Sequence, residues 1–150
     1  MDYSEDYMLT HDIDWFCVVN GIYVHLASGG GILPLSFRNR DMLRILQHNV
    51  AVAPYLFAEE DIVDNEAFLN QRFADNPKGR ESYVVSFRDM ARKGFVSMDR
   101  TNLIEPYDNH YHIVCMPRNL GERPLQELEI PVISNDERPE LDLQPLRLLE

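Results

Sequence analysis

The chain has little that would anchor, export or staple it. Two cysteines in 150 residues, with no Cys-x-x-Cys pair, exclude a disulfide framework and a zinc ribbon. Cys17 and Cys115 each lie in an apolar, strand-like segment and read as buried free thiols. The longest uncharged apolar stretch, residues 50–58, is about half a membrane span and is broken by Pro54. Residues 1–14 hold five acids and no base, where an export signal needs a basic start and an apolar run, so a cytoplasmic protein is expected. Gly-x-Ser-x-Gly and Gly-x-Gly-x-x-Gly are both absent, and no Lys-Ser or Lys-Thr follows the glycines at 29–31. The simplest serine-hydrolase and nucleotide-binding readings go with them.

What is there is ordinary globular material, 45% apolar and 26% charged, with no internal repeat. A chain of this size buries close to ~70% of the surface it exposes when unfolded. Its net charge of -11 gathers at the ends: residues 118–150 carry eight acids against four arginines, while residues 15–117 hold twelve acids and ten bases. The body is therefore nearly balanced. Twelve of the fourteen bases are Arg, the cation that forks onto carboxylates and stacks on rings, which gives weak support to interfaces.

Trp15 to Val19, then Asn20-Gly21, then Ile22 to Ala27 is a β-hairpin pattern, because a two-residue turn of this type needs positive φ at both central positions. The pairing sets Val19 against Ile22, Cys17 against Val24 and Trp15 against Leu26 on an apolar core face. Phe16, Val18, Tyr23 and His25 fall on the other face, which is too apolar for water and should meet a helix, another chain or a ligand.

Asn39 is an N-cap for a helix running to about Ala53, with Met42, Leu43, Leu46 and Val50 on its buried stripe. A second helix is expected from Asn65 to Ala74, capped by Asp64, buried through Phe68, Leu69 and Phe73, and closed by Asn76-Pro77 and Gly79. Tyr83-Val84-Val85 reads as a strand, and Ser86 to Asp89 as a variant capping box opening a short helix that Gly94 stops. Strands follow at Phe95 to Met98 and His110 to Met116. Five of the nine prolines lie from 117 onward, so residues 118–150 read as an irregular Pro/Leu-rich arm, with an edge strand at Leu128, Ile130 and Val132. Leu141, Leu143, Leu146, Leu148 and Leu149 need an apolar home, expected on a second copy near Phe16, Tyr23 and His25. The expected architecture is α+β: one antiparallel sheet including the N-terminal hairpin, packed against two main helices, in a single domain over 1–117 with the arm docked on the body or on a neighbouring chain.

Asp108, His110 and His112 alternate on a predicted strand and so share a face, a pattern that suits a divalent metal or a shared proton. The other side, with Tyr111, Ile113 and Cys115, already explains that strand by burial, and no metal or cofactor is expected. His25 and Tyr23 would join them in an acid/base cleft only if the hairpin and the His110 strand lie side by side. The glycines at 29–31 read as a wide turn out of the hairpin. Residues 72–100 run against the acidic trend with seven bases and four acids, and Arg88 and Arg92 lie one helical turn apart near aromatic residues. Overall charge sets nucleic acid back as the partner. Residue chemistry thus gives Phe16, Tyr23, His25, His110, His112, Arg88 and Arg92 as candidate binding positions. The leading expectation is a non-enzymatic protein-protein interaction module that self-associates, as a dimer, without membrane contact. The alternative is a small enzyme or ligand-binding protein using a His/Asp/Tyr cluster on one sheet face.

Overall fold

A computed structural model describes residues 1–119 and 128–142. The fold is α+β, with four helices and a six-stranded mixed sheet among the described residues. The hairpin forms as its sequence requires: β1 (Asp14–Val19) and β2 (Ile22–Ala27) pair antiparallel with Trp15 opposite Leu26 and Cys17 opposite Val24. Asn20 and Gly21 take φ of 49° and 77°, both positive.

The sheet departs from the expected antiparallel one in two places. β2 pairs parallel with β4 (Val96–Arg100), and β5 (His110–Pro117) pairs parallel with β6 (Glu140–Asp142). The physical reason is connectivity, since three helices lie between β2 and β4 and let the chain return in the same direction. β4 and β5 are antiparallel, and β3 (Ile62–Asp64) lies antiparallel on the far edge of β5.

A first helix that the sequence reading missed, α1 (Glu5–Thr10), is capped by Ser4, whose Oγ accepts from Tyr7 N at 3.1 Å, and it buries Met8. α2 (Arg40–Val52) is capped by Asn39 as expected, but Met42 lies outside its buried stripe of Leu43 and Val50. α3 (Glu66–Phe73) is capped by Asn65, not Asp64; the Asp64 carboxylate is drawn to Arg88 at 2.5 Å instead.

The largest correction concerns residues 76–92. Asn76-Pro77 starts a helix where it was expected to end one: the Asn76 Oδ1 accepts from Gly79 N at 2.9 Å, and Pro77 takes the first helical position, where its missing N–H costs nothing. α4 (Pro77–Arg92) then absorbs both the expected strand at Tyr83 to Val85 and the expected capping box. Val84, Phe87 and Ala91, spaced i, i+3, i+7, are its buried stripe, and packing that stripe on the sheet overrides the β preference of two adjacent valines.

The two sides of the sheet hold separate cores. Trp15, Cys17, Val24, Leu26, Val96 and Met98 pack with Met8, Leu33 and Phe37 on one side. On the other, Ala27, Val114 and Cys115 meet Leu69, Val84, Phe87 and Ala91 of α3 and α4. Both cysteines are buried and free, and burial pushes the Cys17 thiol up to about 12.

The described part of the arm works at both sheet edges. Val132 bridges Val18 on the β1 edge, with Val18 N donating to Pro131 O at 2.9 Å, while β6 adds to β5 beside His110 to His112. Ile130 and Ile133 are buried and Val132 is exposed, so the segment is a single bridge and not the expected edge strand. Leu141 packs against the first core; Leu143, Leu146, Leu148 and Leu149 lie outside the described residues.

Candidate functional site

The second face of the hairpin, carrying Phe16, Val18, Tyr23 and His25, is where sequence chemistry pointed, and it is covered from within the chain. Phe16 is buried among Phe95, Val50 and Ile130, with its ring 5.4 Å from His25 and 5.3 Å from Phe95. Tyr23 is half-buried, and its hydroxyl reaches Leu128 O at 3.5 Å. The arm thus does approach Phe16 and Tyr23, but through Leu128 and Ile130 of the same copy. Leu128 and Ile130 are seated by their own chain, whose Pro131 and Ile133 also hydrogen-bond Val18 of β1.

His25 takes part in a hydrogen-bonded chain that the sequence did not reveal. Its Nδ1 lies 2.7 Å from Ser97 Oγ and its Nε2 lies 2.8 Å from Asp14 Oδ1. The residue types are those of a nucleophile, a base and an orienting acid. Burial decides against that chemistry: His25 is 2% exposed and Ser97 0%, so only Asp14 meets solvent. A nucleophile must reach its substrate, and Ser97 is fully buried.

His112 stands two strands away from His25, with β4 between them. Its ring lies 3.9 Å from Phe68, its Nδ1 is 3.1 Å from Thr101 Oγ1, and its buried Nε2 has no hydrogen-bond partner among the described residues. Burial, with Arg72 nearby, lowers its pKa to about 4 and keeps the imidazole neutral at pH 7. His110, one step along the strand face, is half exposed and bracketed by carboxylates: Asp108 at 2.5 Å from Nδ1 and Glu140 against Nε2. Hydrogen bonding to Asp108 raises its pKa. No three His, Cys, Asp or Glu side chains among the described residues are placed to hold a metal ion together.

On β4, between the strands that carry His25 and His112, lies a further hydrogen-bonded pair. The Tyr83 hydroxyl donates to Asp99 Oδ2; burial raises the Asp99 carboxyl while that hydrogen bond pulls it down. The three candidate histidines therefore do not converge on one pocket.

Arg88, Arg92, Lys93 and Arg100 of the basic stretch help to hold the fold. Arg88 pairs with Asp64 at 2.5 Å and donates to Glu59 O at 2.9 Å. Arg92 lies 3.9 Å over the Tyr55 ring and donates to Phe57 O at 3.2 Å. Lys93, at the end of α4, reaches the last carbonyls of α2, Val50 O and Ala51 O, at 2.9 Å each. Arg100 is buried, and among the described residues its guanidinium donates only to main-chain carbonyls, including Ser28 O at 2.7 Å and Gly29 O at 2.9 Å. The glycine turn thus offers its carbonyls to a cation, and its Gly29 N–H is taken by Asp12 Oδ1 at 2.8 Å.

One solvent-facing surface is apolar. On α2, Met42, Ile45 and Val52 are exposed by between 63% and 69%, at spacings of three and seven residues that put them on one stripe. Beside them runs a groove of about 510 Å³ lined by Met42, Ile45, Leu46, Phe37, Ile130 and Pro131 with polar neighbours. The signal was in the sequence: α2 carries two apolar stripes, and a single amphipathic helix needs one. Compared with known proteins, the chain matches no family model, no curated protein and no solved structure.

Proposed function

We propose that the chain is a protein-protein interaction module that self-associates through the outward stripe of α2, and that it is not an enzyme. The observation that carries this reading is the second apolar face of α2, Met42, Ile45 and Val52, left in water beside an apolar groove. Exposed apolar side chains grouped on one helix face are a common feature of interaction sites. A cytoplasmic setting agrees with two buried, reduced thiols. The partner class is another protein surface, since Arg88, Arg92 and Lys93 are each already paired within the fold.

A small enzyme or ligand-binding protein is the second reading, favoured by the hydrogen-bonded chain of Asp14, His25 and Ser97. The burial of Ser97 counts against it. Sedimentation of the full chain over a range of concentrations separates the two. Self-association that is weakened in Ile45→Asp supports the module; a chain that stays monomeric, with Ile45→Asp indistinguishable from it, overturns it.

A further inference from the structure

β6 is three residues long and holds the end of the described arm to the outer edge of β5. So short a strand has few ladder bonds of its own, and the side chains on the pair weigh on whether it stays docked. The Glu140 N–H donates to Asn109 O at 3.1 Å, and Leu141 packs against the first core. The charged tie is His110, the register partner of Glu140.

His110 touches two carboxylates at once, Asp108 Oδ1 at 2.5 Å from Nδ1 and Glu140 Oε2 against Nε2. A neutral imidazole has one N–H and a carboxylate has none, so a neutral ring donates to one of the two and turns a lone pair on the other. Only the imidazolium satisfies both contacts. The same Asp108 oxygen also accepts from His110 N at 3.0 Å, so that carboxylate belongs to the start of β5 whether or not β6 is docked. Glu140 arrives with the arm, and docking and protonation therefore favour each other. The other groups around the ring are Thr101, whose N–H donates to His110 O, and the next register pair, His112 and Asp142. Asp142 brings negative charge on the same strand as Glu140 and acts in the same direction. His112, with its pKa lowered to about 4, stays neutral while His110 titrates.

We infer that His110 is a proton-controlled pin for the C-terminal arm: β6 is held on β5 while the imidazolium bridges Asp108 and Glu140, and it opens more readily once the ring has lost its proton. The pKa of His110 is higher with β6 docked than with β6 open. The added hold is thus fully present below the open-state value and is lost as pH rises through the docked one. Opening uncovers the edge of β5 over residues 110–112, backbone that another strand can pair with.

Hydrogen exchange of the full-length chain in low salt, read as the protection factor of the Glu140 amide at about pH 5.5 and about pH 8.5, tests this, with the His110 ring titrated by NMR in the same samples. A pKa difference of one unit is a tenfold change in docking, and solvent screens an exposed pair, so wild-type protection is expected to fall about three- to tenfold across the range. Glu140→Gln is expected to lower the His110 pKa and to remove the pH dependence. His110→Arg, whose charge is fixed, is expected to keep its protection at the upper pH. Both side chains are more than half exposed, and the Val18 amide, bonded to Pro131 O at 2.9 Å, reports the arm's other attachment and is expected to hold its protection throughout. Wild-type protection at Glu140 that ignores pH overturns the pin. So does a fall that persists in Glu140→Gln, a His110 pKa that Glu140→Gln leaves unchanged, a loss in His110→Arg equal to that of the wild type, or an equal fall at Val18.

Discussion

His25 Nδ1 and Ser97 Oγ lie 2.7 Å apart across the parallel β2–β4 pair, in which the two residues are register partners. The contact follows from the strand pairing, and it satisfies two polar groups that the core would otherwise leave without a partner. Ser97→Ala is expected to cost about 1–3 kcal/mol by stranding a buried imidazole nitrogen. Asp14→Asn, at the solvent end of the same chain, is expected to cost under about 1 kcal/mol, because water can replace that contact. Urea denaturation of both variants checks the order. A serine-directed phosphonate should leave Ser97 unlabelled in the folded chain, and labelling there would restore the hydrolase reading.

Arg100 and Gly31 constrain each other. A Cβ built on Gly31 would stand 2.6 Å from Arg100 Nε and 3.0 Å from Ser28 O, so the guanidinium occupies the space a side chain would need. Gly31→Ala is expected to destabilise by about 1–3 kcal/mol through that overlap. Arg100→Lys is expected to do worse, at about 3 kcal/mol or more, since one ammonium cannot span carbonyls on two separate turns. Thermal midpoints of the two variants give the comparison; a neutral Arg100→Lys would show that the carbonyls find water, and the clamp would be dispensable.

Local signals were legible and distant ones were not. Asn20-Gly21 fixed the hairpin because its positive φ values and the alternation on either side are properties of thirteen consecutive residues, 15–27. Asn39 and Pro54 marked α2 for the same reason. Asn76-Pro77 misled because the dipeptide suits a helix start as well as a helix end, and only the burial of Val84, Phe87 and Ala91 against the sheet decides between them. The contact of His25 with Ser97 spans 72 residues and depends on parallel pairing, which no local pattern encodes. Reading Met42 as core assigned α2 a single stripe, and so concealed the exposed one.

His112 should make stability depend on pH in a direction its neighbour opposes. Its folded pKa is lowered to about 4 by burial, against roughly 6.5 in an unfolded chain. Between those values the unfolded chain holds a proton that the folded chain does not. Stability therefore rises with pH across this window: it is fully present above about pH 6.5 and is lost as pH falls toward 4, by up to roughly 3 kcal/mol. His110 has a raised pKa, so its contribution has the opposite sign, present at low pH and lost as pH rises through the folded value. His112→Phe removes the titration and the buried nitrogen without a partner, while Thr101, which is exposed, can bond to water. As pH is lowered from 7.5 to 4.5, stability from urea denaturation should fall more steeply in the wild type than in His112→Phe, with the gap reaching roughly 2 kcal/mol at the acid end. His110→Ala should change the slope in the other direction. Parallel curves for the wild type and His112→Phe would mean that the imidazole is protonated in place, and the burial that now keeps it neutral would have to be relieved by water entering beside Phe68.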